Sequence, residues 1–141
     1  VNGLLMKILI AEDDVMTRVI LQEMLADVGT THGAENGREA IEIFTQALKD
    51  RDPFDLVCLD IMMPEINGQD ALVQIRKIEE DLGVIPEYQV KVIMITALSD
   101  PENIRKAKEE GRCEAYMTKP VKMDQLLEQI KKLGLVVSYS F

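Results

Sequence analysis

Four apolar runs in this chain end abruptly on polar residues of the kinds that handle phosphate or metal. KILIA (7–11) runs into Glu12-Asp13-Asp14, FDLVCL (54–59) into Asp60, VKVIMI (90–95) into Thr96, and EAYMT (114–118) into Lys119-Pro120. A carboxylate at the end of a buried run costs on the order of several kcal/mol unless it is paired or bound to a cation. Carboxylates packed together repel one another, and a hard divalent cation is the usual remedy. Mg²⁺ suits such a group, because it takes six oxygens, keeps several waters and commonly uses only one or two carboxylates plus phosphate oxygens. An ammonium from Lys119 and a hydroxyl from Thr96 complete a cradle for a dianionic phosphoryl group, with Asp60 as the attacking nucleophile.

Each residue also has a plainer reading. Glu12, Asp13 and Asp14 can cap a following helix, and for Asp14 alone capping is the better assignment. Thr96 can simply end a strand, and a lysine taken singly is usually a solvated surface residue. The joint placement of acids, hydroxyl and lysine at four separate strand ends carries the functional reading.

The elements that must position these residues follow from periodicity. Lys7–Ala11, a weak Thr30–Ala34, Phe54–Leu59, Val90–Ile95 and Glu114–Thr118 read as five short strands. Between them the period becomes helical. One face is Ile20, Leu21, Met24, Leu25 and Val28; a second is Ala40, Ile43, Phe44, Ala47 and Leu48; a third is Ala71, Ile75, Ile78 and Leu82. The last helix presents Met123, Leu126, Leu127 and Ile130. Residues 101–111 offer little beyond Ile104 and Ala107, which predicts a fourth helix only lightly anchored to the core. The long connection 79–91 extends the third helix and turns at Gly83 and Pro86.

Strict alternation of strands and helices implies a doubly wound α/β fold: a five-stranded parallel sheet with helices on both faces. Ligands in such sheets bind beyond the carboxyl ends of the strands, where the strand order reverses. In a flavodoxin-like order of 2-1-3-4-5, the first and third strands are neighbours, and Glu12, Asp13 and Asp60 share one crevice.

The 141 residues suit one domain, expected over 6–133, with terminal extensions at 1–5 and 134–141. With 47% hydrophobic and 29% charged residues and no apolar run near the roughly 18 residues that span a bilayer, no membrane association is expected. The start lacks signal-peptide character, and Cys58 and Cys113 have no metal-type spacing, so a cytoplasmic, reduced protein is expected. Acids outnumber bases 25 to 16, and the net charge of −9 disfavours direct nucleic-acid binding. His32 stands alone and is assigned no role.

AEDD after the first strand, LDIMMPEINGQD after the third, MITA after the fourth and YMTKP around the fifth together resemble the receiver domain of two-component response regulators, over about Lys7 to Leu133. The resemblance implies that Asp60 accepts a phosphoryl group from a histidine kinase or a histidine phosphotransfer protein. It implies Mg²⁺ held directly by Asp13 and Asp60, by Glu12 through water, and by the backbone carbonyl of Met62. Lys119 would pair with the phosphoryl group, Pro120 would follow a cis peptide bond, and Thr96 and Tyr116 would move together as the switch. The reading surface would be the fourth helix, fifth strand and fifth helix, meeting an unidentified output protein.

Two departures from the family pattern stand out. Glu12 replaces the commoner Asp, an exchange the family tolerates. Met62 and Leu98 are apolar where polar side chains help orient the hydrolytic water, which predicts a long-lived phosphoaspartate.

Rival readings are an unphosphorylated receiver-like binding module, an aspartate-nucleophile phosphatase of the haloacid dehalogenase group, and a flavin-binding electron carrier. The phosphatase would carry a second acid where Met62 stands. The flavin carrier would have a hydroxyl- and Gly-rich loop where AEDDVMT stands. A phosphoacceptor rather than an enzyme is therefore expected, its signal leaving through protein contacts or by onward phosphoryl transfer.

Overall fold

The computed structural model describes residues 6–135. Five strands, β1 (Met6–Ala11), β2 (Gly29–Ala34), β3 (Leu56–Leu59), β4 (Lys91–Thr96) and β5 (Ala115–Thr118), alternate with five helices. The helices are α1 (Val15–Leu25), α2 (Gly37–Lys49), α3 (Gly68–Asp81), α4 (Pro101–Glu109) and α5 (Met123–Lys132). The strands form one parallel sheet, as the alternation predicted, in the flavodoxin-like order β2-β1-β3-β4-β5 that the family resemblance implies.

Burial on both faces explains why the strands lack polar alternation. Leu9, Ala11, Val57, Leu59, Val92 and Met94 point to one face, where Phe44 of α2 and Leu72 and Ile75 of α3 cover them. Ile8, Ile10, Leu56, Cys58, Ile93 and Ile95 point to the other, under Leu21 and Leu25 of α1 and Leu126 and Ile130 of α5. Cys58 is thus a core residue, its thiol pushed up to about 12 by burial. His32 packs edge-on against Phe54, with ring centroids 5.4 Å apart.

Side-chain caps set where helices begin. Asp14, Asn36, Asn67 and Asp100 each accept a hydrogen bond from the backbone N–H three residues on, satisfying a donor the helix leaves open. Asp14 therefore takes the capping role expected of it.

Some expected helix faces need correction. Val28 is buried but lies beyond α1, in the turn leading to β2. Leu82 is the residue after α3 and is exposed, and Ile20 and Met123 are also largely exposed. Periodicity located the helices, but Leu82 and Met123 turn outward at helix ends, and Ile20, mid-way along α1, faces an open cleft beside Pro120 and Val121. Past α3 the chain turns at Gly83, whose φ of +76° suits glycine, and forms a short 3₁₀ turn over Pro86–Tyr88. Leu135, after α5, packs partly buried against the second core face. Of the expected extensions 1–5 and 134–141, residues 1–5 and 136–141 lie outside the described residues.

The α3–β4 connection is held by an ion cluster that the sequence did not reveal. Arg76 and Glu79 are buried, and Arg76 Nη1 donates to Glu79 Oε1 at 2.9 Å. The guanidinium also donates to the carbonyls of Val90, Gly111 and Arg112 and to Glu114, while Glu79 Oε2 accepts from Val90 N at 2.6 Å. One cation thereby ties α3 to the start of β4 and to the chain entering β5. Removing one partner of a buried pair leaves an uncompensated charge. Arg76→Met is expected to destabilise the fold by about 3–5 kcal/mol in urea denaturation, and adding Glu79→Gln to recover part of that loss. A loss under about 1 kcal/mol would show the cluster to be dispensable.

Candidate functional site

Register brings the strand ends together. Ala11 pairs with Ala34 of β2 and Leu59 of β3, and Asp60 N donates to Ala11 O at 3.0 Å. Glu12 and Asp60 therefore leave adjacent strands at the same level. On the other side, Lys119 N donates to Thr96 O at 2.9 Å, carrying the β4–β5 pairing one step past the strands.

At this edge Lys119 Nζ lies between two carboxylates, 2.5 Å from Glu12 Oε1 and 2.9 Å from Asp60 Oδ2. Glu12 is 1% and Asp60 5% exposed, so the ammonium offsets charge that water reaches poorly. Burial pushes the Glu12 carboxyl up, against the pull of its hydrogen bond from Lys119. Burial alone would lower Lys119, but its bonds to Glu12 and Asp60 outweigh that and hold it above the ordinary lysine range.

The remaining oxygens are also engaged. Asp60 Oδ1 accepts from Ile61 N at 2.7 Å and Glu12 Oε2 from Asp14 N at 3.1 Å. Asp13 is exposed, and carboxylate oxygens of Glu12, Asp13 and Asp60 all lie within 4.8 Å of one another, so the cluster can hold a metal ion. Three acids facing a single lysine form the all-oxygen donor set that a hard cation favours.

Thr96 is fully buried at the end of β4, its Oγ accepting from Leu98 N at 3.4 Å. Tyr116 Oη donates to Leu98 O at 2.6 Å, so both switch candidates meet the backbone of one residue. Burial, with Asp100 nearby, raises the Tyr116 phenol. The Lys119–Pro120 peptide bond is cis. Met62 exposes its side chain beside the acids, while its N–H lies 3.4 Å from Asp60 Oδ1.

Sequence reasoning missed the supports behind these residues. Arg18 Nη1 donates to Glu12 O at 2.6 Å from the second turn of α1. Glu65, at a φ of 66°, accepts from Asn36 Nδ2 and Arg38 Nε and so fastens the loop after Asp60 to the start of α2. Neither sits at a strand end, so no motif singled them out. Around the site the exposed side chains of Val15, Met16, Val19 and Ile20 form an apolar α1 surface. A cleft of about 490 Å³ runs from there to Lys119, Pro120 and Val121.

Residues 8–131 match the response regulator receiver domain family. The chain is 32% identical over 128 residues to the chemotaxis protein CheY of Bacillus subtilis, covering 89% of this chain and 95% of that one. It is 32% identical over 127 residues to sporulation initiation phosphotransferase F of the same organism, covering 89% and 91%. The fold is similar to that of the receiver domain of the histidine kinase CKI1 from Arabidopsis thaliana, complexed with Mg²⁺ and BeF3−. That likeness has a TM-score of 0.80 at 24% identity and covers 94% of this chain and 93% of the other.

Gly68 sets how closely the loop after Asp60 closes. A Cβ there would sit 1.9 Å from Asp60 O and 2.8 Å from Ile61 Cα, and the Gly68 N–H already donates to Ile61 O at 2.8 Å. Gly68→Ala is expected to push the Asp60 backbone aside at a cost of about 1–3 kcal/mol in urea denaturation. Native-like stability would show that the loop yields freely.

Proposed function

The chain belongs to the response regulator receiver domain family, and on that premise we propose that Asp60 is its phosphoacceptor in a two-component or phosphorelay pathway. The observation that supports this most is Lys119 Nζ held between Glu12 and Asp60, with Asp13 completing the acid cluster. An Asp60 carboxylate oxygen attacks the phosphorus of a phosphohistidine. The new P–O bond forms as the P–N bond breaks, and the electron pair leaves with the imidazole. In this reading Lys119 turns from the carboxylates to a phosphoryl oxygen, and the Thr96 hydroxyl leaves Leu98 N to donate to another.

Asp13 and Asp60, with Glu12 through water and the Met62 carbonyl, are the proposed holders of Mg²⁺. When bound, Mg²⁺ neutralises the charge that the phosphoryl group adds to these acids. The Mg²⁺ and BeF3− in the Arabidopsis receiver domain are ligands of this same kind in the same fold.

Readout follows from the movement of Thr96 and Tyr116 against Leu98, which lies between β4 and α4. Of the nine residues of α4 only Ala107 is buried, so α4, with β5 and α5, is the surface a phosphoryl group can rearrange at least cost. The donor is a histidine kinase or phosphotransfer protein, and the output is a protein partner. The protein is not an enzyme acting on a separate substrate; it assists only its own phosphoryl transfer and hydrolysis. No helix among the described residues is long and apolar enough to cross a membrane, and the proposed setting is the cytoplasm.

Incubation with acetyl phosphate and Mg²⁺ is expected to add one phosphoryl group by intact mass, absent in Asp60→Asn and with excess EDTA. No adduct under these conditions would favour an unphosphorylated binding module, and turnover of free phosphoesters would favour a phosphatase. With Met62 and Leu98 apolar, the adduct is expected to outlast minutes; decay within seconds would rule out their proposed slowing of hydrolysis. Thr96→Val is expected to keep phosphorylation while weakening phosphorylation-dependent partner binding, measured by titration. Unchanged binding would count against the switch role of Thr96.

A further inference from the structure

Gln69 is a buried amide, 4% exposed, in the first turn of α3. Its side chain reaches out of its own helix: Nε2 donates to the backbone carbonyl of Asn103 at 2.9 Å and to Asn103 Oδ1 at 3.2 Å. Both N–H donors of the amide thus go to one residue of α4. Asn103 in turn belongs to the cap of α4, its N–H donating to Asp100 Oδ2 at 3.0 Å and its Nδ2 to Asp100 Oδ1 at 2.8 Å. Gln69 therefore grips the start of α4 at the residue that closes its cap.

The other end of this contact touches the phosphoacceptor loop. Gly68, the residue before Gln69, lies against Asp60 O and Ile61 so closely that no Cβ fits between them. A displacement of the backbone at Asp60 cannot be absorbed there and must carry the first turn of α3 with it. At the far end of α4 the chain is tied to a later turn of the same helix α3, since Arg76 donates to the carbonyls of Gly111 and Arg112 and also to Val90 O and Glu114. With Ala107 its single buried residue, α4 is joined to the rest of the molecule mainly at its two ends.

We propose that Gln69 is a positioning residue that couples Asp60 to α4, through the contact of Gly68 with Asp60 and the two hydrogen bonds to Asn103. This link is separate from the Thr96–Leu98–Tyr116 contacts, and it rests on the reading of Asp60 as the phosphoacceptor. It moves the start of α4 while the Arg76 cluster holds the end, so α4 pivots about residues 109–112.

Hydrogen–deuterium exchange of the whole chain, with and without acetyl phosphate and Mg²⁺, tests this. In the native protein the donor is expected to change exchange over 102–105 and leave 109–113 unchanged. Gln69→Met keeps the buried volume and removes both bonds. It is expected to exchange roughly three- to tenfold faster over 102–105 without donor. Its donor-induced change there should disappear, while intact mass shows phosphoryl uptake at the native level. A merely structural role would speed the basal exchange and leave the donor-induced change in place, and that result overturns the proposal.

Asn103→Ala removes the side-chain acceptor, and with it the Nδ2 bond to Asp100, while leaving the backbone carbonyl in place; it is expected to act in the same direction and keeps the test open should Gln69→Met fail to fold. If the native protein gains no phosphoryl group, the reading of Asp60 fails. The coupling proposed for Gln69 then falls with it, whatever the basal exchange of the variants.

Discussion

The structure turns on one electrostatic constraint. Two almost inaccessible carboxylates, Glu12 and Asp60, leave neighbouring strands at the same level and must have a positive charge between them. Lys119 supplies it from across the sheet, 107 residues along the chain from Glu12. Taking three ionisable groups out of water is costly, and the arrangement holds because every charged atom has a close partner. The same crowding of acids makes the site receptive to a divalent cation and, with it, to a phosphoryl group.

Much of the remaining architecture serves that meeting point. Two apolar faces clamp the sheet, so the register that aligns Ala11 with Leu59 cannot slip without exposing whole sets of core residues. Caps at Asp14 and Asn67 start α1 and α3 just past the acids, which keeps the loops carrying Asp13 and Met62 short. Arg18 and the Asn36–Arg38–Glu65 group brace these loops from behind. Rigid strands thus present a few side chains on braced loops, the arrangement that positional precision requires.

Against this firm background α4 is the exception. Its neighbour α3 buries Leu72, Ile75, Arg76 and Glu79, whereas α4 buries one alanine. A helix held by polar contacts at its ends can shift without opening a cavity, which a helix locked by packed side chains cannot do. The Arg76 cluster and the Gln69–Asn103 bonds give it definite attachment points.

Local pattern and charge determined a good deal by themselves. Short apolar, β-branched runs and helical apolar repeats announced five strands and five helices. Polar residues at strand ends announced where chemistry belongs, because a carboxylate closing an apolar run must be paired or bound to a cation to stay charged there. The exposed helix end at Leu82 was misjudged, since burial there depends on what lies opposite, while Val28 is buried as expected but lies beyond the end of α1. Only the tertiary structure decided that Lys119 bridges Glu12 and Asp60, that Arg76 and Glu79 are a buried pair, and that Gln69 reaches α4. Arginine, glutamate and glutamine read in sequence as ordinary surface residues. Their partners are backbone carbonyls and side chains from distant segments, and a hydrogen bond to a carbonyl 35 residues away leaves no mark in the pattern of either segment.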